Sequence, residues 1–107
     1  MRYGIRDALR EVERVRERAL AEVERYLNEG DYEGAVSVLI GLEEELSKLV
    51  EEARRLKLKG ELDPPIYRAL LRGYLEALGK AWSLAKERDP EGRVACIYLA
   101  RKAEVVT

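Results

Sequence analysis

The stretch YEGAVSVLIGLEEELSKLVEEARRLKL, residues 32–58, decides the fold. Its apolar residues Tyr32, Ala35, Leu39, Leu42, Leu46, Leu49, Ala53 and Leu56 advance in alternating steps of three and four. That spacing returns every side chain to one face of an α-helix and sustains a heptad seam. Such a seam needs an apolar partner, and the preceding segment supplies one. Between Ile5 and Leu27 the residues Ala8, Leu9, Val12, Val15, Ala19, Leu20, Val23 and Tyr26 also recur at helical spacing. Asn28-Glu29-Gly30 separates the two segments and suits a left-handed helix end, and Asp31 suits an N-cap. So short a link makes antiparallel neighbours, so a helical hairpin is expected. An intermolecular coiled coil is the competing use of the same seam. Gly34 and Gly41 lie seven residues apart, near one face, where another helix backbone is expected to approach closely.

Two further helices follow. Asp63-Pro64-Pro65 joins an N-cap to prolines in a first turn, where their missing N–H groups do no harm. A third helix is expected from about Pro64 to Arg88, with two apolar stripes. One holds Ile66, Leu70, Gly73, Ala77, Ala81 and Leu84. The other holds Tyr67, Leu71, Tyr74, Leu78, Trp82 and Ala85. An arc this wide implies contact on two sides, one with the bundle and one with the last helix or a second protomer. Asp89-Pro90 repeats the cap-and-proline start. Val94–Ala100 could be read as a strand, but no other segment has strand period to pair with it. A final helix from about Pro90 to Glu104 is therefore expected, with Val94–Ala100 buried. The fold class is all-α: one domain, residues 1–107, an antiparallel bundle of about four helices, a long hairpin plus a second helix pair.

Composition narrows the chemistry. The 107 residues include 20 Lys+Arg and 21 Asp+Glu, no His and a single Cys. Without His, no Ser/His or Cys/His pair can form, and the commonest metal ligand is gone. One Cys excludes an intrachain disulfide and a cysteine zinc site. Cys96 sits in an apolar run and is expected to be an inert core residue. No glycine-rich phosphate loop occurs, and no cofactor is expected. The start Met1-Arg2-Tyr3-Gly4 has no leader pattern, and no apolar run approaches the roughly 18 residues of a membrane span. A cytoplasmic protein is expected. Abundant Glu and Arg with almost no Asn or Gln suggest a heat-adapted source.

Near-neutrality hides segregation. Residues 28–53 hold eight acids and only Lys48, after which Arg54, Arg55, Lys57 and Lys59 crowd the helix end. Cations there complement the helix dipole; a phosphate or acidic partner is the alternative. Arg6, Arg10, Arg14 and Arg18 advance by four along the first helix, a ridge about 18 Å long. Glu13, Glu17 and Glu22 lie within intrahelical pairing distance, so a salt-bridged surface is the first reading and a nucleic-acid contact the second. Glu43, Glu44 and Glu45 with Glu51 and Glu52 suggest the acidic helix of a Mg²⁺-dependent hydrolase. The third helix offers them only Glu76, and no arginine and lysine constellation of a chorismate mutase site is evident.

The arginine-rich helix, the Asn28-Glu29-Gly30-Asp31 break, Tyr32-Glu33-Gly34-Ala35 and Gly73-Tyr74-Leu75-Glu76-Ala77 together resemble the N-terminal half of the translin family, particularly its archaeal members. The resemblance implies an all-α, oligomeric protein that binds single-stranded RNA or DNA. The family's nuclease branch carries a Glu-x-x-Glu pair within Glu-Tyr-x-Glu-Ala. Here Gly73 stands at the first acid, so only Glu76 carries over, as a candidate metal ligand. Function is expected to be a non-enzymatic interaction or assembly module, self-associating through Tyr67, Leu71, Tyr74, Leu78 and Trp82. The alternative is a nucleic-acid-binding subunit using Arg6, Arg10, Arg14, Arg18, Arg54, Arg55, Lys57 and Lys59.

Overall fold

The computed structural model describes residues 5–106. The segment Met1-Arg2-Tyr3-Gly4, which carries the expectation of no leader, and the side chains of Ile5, Val105 and Val106 lie outside the described residues. Four α-helices follow in order: α1 (Ile5–Asn28), α2 (Tyr32–Leu58), α3 (Pro64–Arg88) and α4 (Arg93–Val106). No strand occurs among the described residues. The helices run alternately up and down as an all-α antiparallel bundle. Arg18 of α1 bridges to Glu45 of α2, which fixes the hairpin register.

The first two reversals use the same device. Gly30 at φ +74° and Gly60 at φ +76° occupy left-handed backbone that costs a glycine little. At each, two backbone bonds close the helix end. Gly30 N–H donates to Leu27 and Asp31 N–H to Tyr26, at 3.1 and 2.8 Å. Gly60 N–H donates to Lys57 and Glu61 N–H to Leu56, at 3.0 and 2.9 Å. These paired bonds satisfy carbonyls that the helix itself leaves open. Asp31 then caps α2 by accepting from Gly34 N–H at 2.9 Å. Asp63 sits at the N-cap of α3, with prolines in the first turn, but its side chain makes no capping bond.

The seam behaves as its spacing requires. Ala35, Leu39, Leu42, Leu46 and Ala53 are buried, and Tyr32, Leu49 and Leu56 are half-buried. They meet Ala8, Val12, Val15, Ala19 and Val23 of α1, and Leu70, Ala77, Ala81 and Ala85 of α3. So α1, α2 and α3 pack mutually into one core, and α4 leans chiefly on α2. The second half of the bundle is less a helix pair than a third core helix with a short fourth laid across. No described helix is long and apolar enough to cross a membrane.

Three expectations are corrected. Helix α4 starts at Arg93, because Gly92 at φ +75° turns the chain first. Asp89 reaches across that turn and accepts from Val94 N–H at 2.8 Å. Within Val94–Ala100 only Val94 is buried, and Cys96 is exposed rather than in the core. A nearly uniform apolar run gives the period no contrast from which to choose an inner face. Finally, no backbone packs on the two glycines of α2. A Cβ at Gly34 would strike the Tyr26 ring, and one at Gly41 would meet nothing within 4 Å.

Candidate functional site

The arginine ridge divides. Arg18 crosses to α2, its Nη2 donating to both carboxylate oxygens of Glu45 at 2.9 and 2.8 Å. Arg14 pairs with Glu11 one turn back, and that contact raises its pKa above the ordinary guanidinium value. Arg6 and Arg10 are exposed and make no ion pair among the described residues. Neighbouring Arg16, outside the ridge, is 22 % exposed, lies 3.6 Å from Glu13, and keeps a buried Nε without a hydrogen-bond partner.

Register places the free half of the ridge beside the basic end of α2. From the Arg18–Glu45 bridge, two turns back along α1 and two turns on along α2 bring Arg10 level with Ala53. Arg54, Arg55 and Lys59 are exposed there and unpaired among the described residues. Lys57 stands over the Tyr67 ring of α3, 4.9 Å from its centre. A Cβ at Gly73 would touch Val12 at 3.4 Å, so the first half of α3 lies along the first half of α1. Arg68 and Arg72 therefore join the same end. Sequence reading passed over these two; their four-residue step with Glu76 and Lys80 looked like an ordinary polar face. One end of the bundle thus gathers cations from three helices.

Glu76 lies on a different surface. It lines an open groove of about 600 Å³ between α1 and α3, with Glu24, Glu87 and Lys80. Glu24 is engaged by Arg88 at 2.7 Å. Among the described residues no group of three or more acids or cysteines is placed to hold a metal ion. The acids of α2 are occupied in part. Glu45 holds Arg18. Glu43 lies 3.2 Å from Lys102 and accepts from the Tyr98 hydroxyl. Burial first, then the Glu43 carboxylate, pushes the Tyr98 pKa up to about 12.

The aromatic stripe of α3 is brought together and only partly covered. Tyr67, Leu71, Tyr74, Leu78 and Trp82 all remain half-buried. Trp82 meets Tyr98 of α4 edge to face, with ring centres 4.8 Å apart. Leu75 is 65 % exposed and lies on the same side of α3 as Leu71, Leu78 and Trp82, at steps of three and four. On α4, Leu99 is also 65 % exposed. Sequence reading missed both. Leu75 fell between the two assigned stripes, and Leu99 was assigned to the core. Comparison with family models, with curated proteins and with solved structures found no match.

Proposed function

We propose that this chain is a non-enzymatic helical-bundle interaction and assembly module that associates with itself through α3. The observation that carries it is the incompletely covered stripe: Tyr67, Leu71, Tyr74, Leu78 and Trp82 half-buried, with Leu75 exposed among them. A closed monomer gains nothing from leaving so much aromatic and leucine surface wet, and contiguous apolar patches mark contact sites. Leu75→Glu tests this, because an exposed residue can accept a charge without unfolding the bundle. Wild-type protein should be larger than a monomer at micromolar concentration by light scattering, and Leu75→Glu smaller. A monomeric wild type would sink the proposal. A cytoplasmic location in a heat-adapted cell is part of the same proposal, and the composition rich in Glu and Arg supports it.

The basic end supports a second reading, a translin-like subunit that binds single-stranded RNA or DNA. Arg6, Arg10, Arg54, Arg55 and Lys59 present cations without an ion pair among the described residues, with Lys57 nearby and the Tyr67 ring beneath it. Phosphate binding releases counterions, so affinity should fall steeply with salt. The double variant Arg10→Glu, Arg55→Glu should abolish binding of a labelled oligonucleotide while helix content stays constant. No binding to either nucleic acid at low salt would remove this reading.

A further inference from the structure

The back of α2 carries a seat distinct from the heptad seam. Val36 lies outside that seam, yet it is fully buried. Stepping by three, four and three, Glu33, Val36, Ile40 and Glu43 share one side of the helix. That is the side against which α4 lies. Arg101 donates to the Ser37 hydroxyl at 2.8 Å and pairs with Glu33, and Lys102 lies 3.2 Å from Glu43. The Tyr98 hydroxyl donates to the same Glu43 carboxylate, while its ring meets Trp82 of α3 edge to face. The seat is an apolar floor with polar walls, and α4 supplies the partner of each wall.

The helix that fills the seat is lightly held by its own chain. It leans chiefly on α2 and far less on α3, to which the chain joins it. Val94 alone among its described side chains is buried. The link is short. Asp89 ends α3, Pro90 has no N–H with which to continue that helix, and Gly92 at φ +75° turns the chain back. Asp89 holds the turn closed, accepting from Val94 N–H on its side chain and from Gly92 N–H on its carbonyl.

We infer that two copies exchange α4: each chain's α4 leaves its own α2 and fills the same seat on the other copy, about a two-fold axis. The inference rests on the self-association proposed above and names the contact that joins the copies. The fold itself identifies the occupant, because every group that receives α4 in one chain stands ready in another. Seat and tether lie on different helices, so the seat does not distinguish its own α4 from a second one. Opening a single copy leaves Val36 and Ile40 wet and parts Trp82 from Tyr98. Two opened copies restore all of these contacts together. The exchange closes at two, since each copy gives one helix and takes one. Closed monomer and exchanged dimer make the same α4 contacts, so the link and the protein concentration decide between them.

The Glu43–Lys102 pair tests this in the full wild-type chain. Equal amounts of isotope-labelled and unlabelled protein are unfolded together, refolded at high micromolar concentration, and sized by sedimentation. A carbodiimide, which joins a carboxylate to an amine in direct contact, then links Glu43 to Lys102. In an exchanged dimer these residues belong to different chains, so about half of the linked peptides should join a labelled to an unlabelled segment. In a closed chain every linked peptide is wholly labelled or wholly unlabelled. Lys102→Arg should lose the link and keep the dimer. Glu43→Lys and Lys102→Glu chains each repel their own α4, so mixing them should yield a heterodimer in which both pairs are again opposite in charge. A dimer whose linked peptides are all unmixed overturns the exchange and leaves association through the α3 stripe standing. Failure of the two variants to pair on mixing overturns the exchange too. A dimer with mixed peptides that survives Leu75→Glu upholds the exchange and removes the exposed part of the α3 stripe from the contact. A wild type that stays monomeric overturns both.

Discussion

The two glycines of α2 give opposite answers to the same substitution. At Gly41, in the helix interior and exposed, an added Cβ meets no atom within 4 Å. Gly41→Ala should therefore gain the full helix-propensity difference, about 0.8–1 kcal/mol. At Gly34 the added Cβ would lie 2.5 Å from Cδ1 and 2.7 Å from Cε1 of Tyr26, and 2.8 Å from Oδ2 of Asp31. The tyrosine ring is packed against the core, with the Arg25 guanidinium 4.6 Å above it. Asp31 is the N-cap of α2. Relieving the clash must shift the ring, the cap or both. Overpacking costs about 1–3 kcal/mol and a damaged cap about 1 kcal/mol, against a propensity gain below 1 kcal/mol. Gly34→Ala should thus lose about 1–3 kcal/mol. Urea unfolding followed by far-UV circular dichroism measures both, with unchanged m-values confirming that only stability moved. In melting temperature the two variants should separate by about 8 °C or more, taking about 4 °C per kcal/mol. Gly34→Ala at or above wild-type stability would refute the packing account of Tyr26. A destabilised Gly41→Ala would refute the claim that this face of α2 is open. The double variant with Tyr26→Ala should recover most of the Gly34→Ala loss.

Other outcomes follow from the same structure. Asp89→Ala should cost about 1–2 kcal/mol in thermal denaturation, because it strands the buried Val94 N–H, while Asp89→Asn keeps an acceptor there. Leu39→Ala removes a fully buried side chain and should cost about 2–5 kcal/mol, whereas Leu58→Ala, 75 % exposed, should stay within about 0.5 kcal/mol. The folded Tyr98 holds its proton more tightly than an unfolded tyrosine, up to about 12. Its contribution is therefore complete below the ordinary tyrosine range and is lost as pH rises through about 12. Melting temperature should fall across that alkaline window in wild type, and less steeply in Tyr98→Phe.

The core was legible in the sequence because α1 and α2 show sharp contrast between apolar and charged positions. Val12, Val15, Leu39 and Leu46 needed only the spacing to be placed inside. Helix α4 lacked that contrast. Val94, Ala95, Cys96 and Leu99 are all apolar, so only three-dimensional contact could show that Val94 faces in, with Ile97 and Tyr98 packed beside it, while the other three face out. The partners of the arginine ridge were hidden for another reason. Pairing rules within one helix reach three or four residues, and the partner of Arg18 is Glu45, on the next helix. The basic end likewise depended on register. Arg68 and Arg72 joined Arg10 and Arg54 only once α3 was laid along α1.

The unequal attachment of α4 divides the molecule thermodynamically. Among its described side chains only Val94 is buried, and Asp89 ties its start to the turn after α3. The three longer helices share the remaining core. Stability within a fold is distributed by such local burial, so α4 can open at lower cost than the whole chain unfolds. The sole tryptophan, Trp82, stands at that boundary with its ring against Tyr98. Its fluorescence therefore records the departure of α4, while circular dichroism records the loss of the three-helix remainder. Two denaturation midpoints from one unlabelled sample would separate the two units.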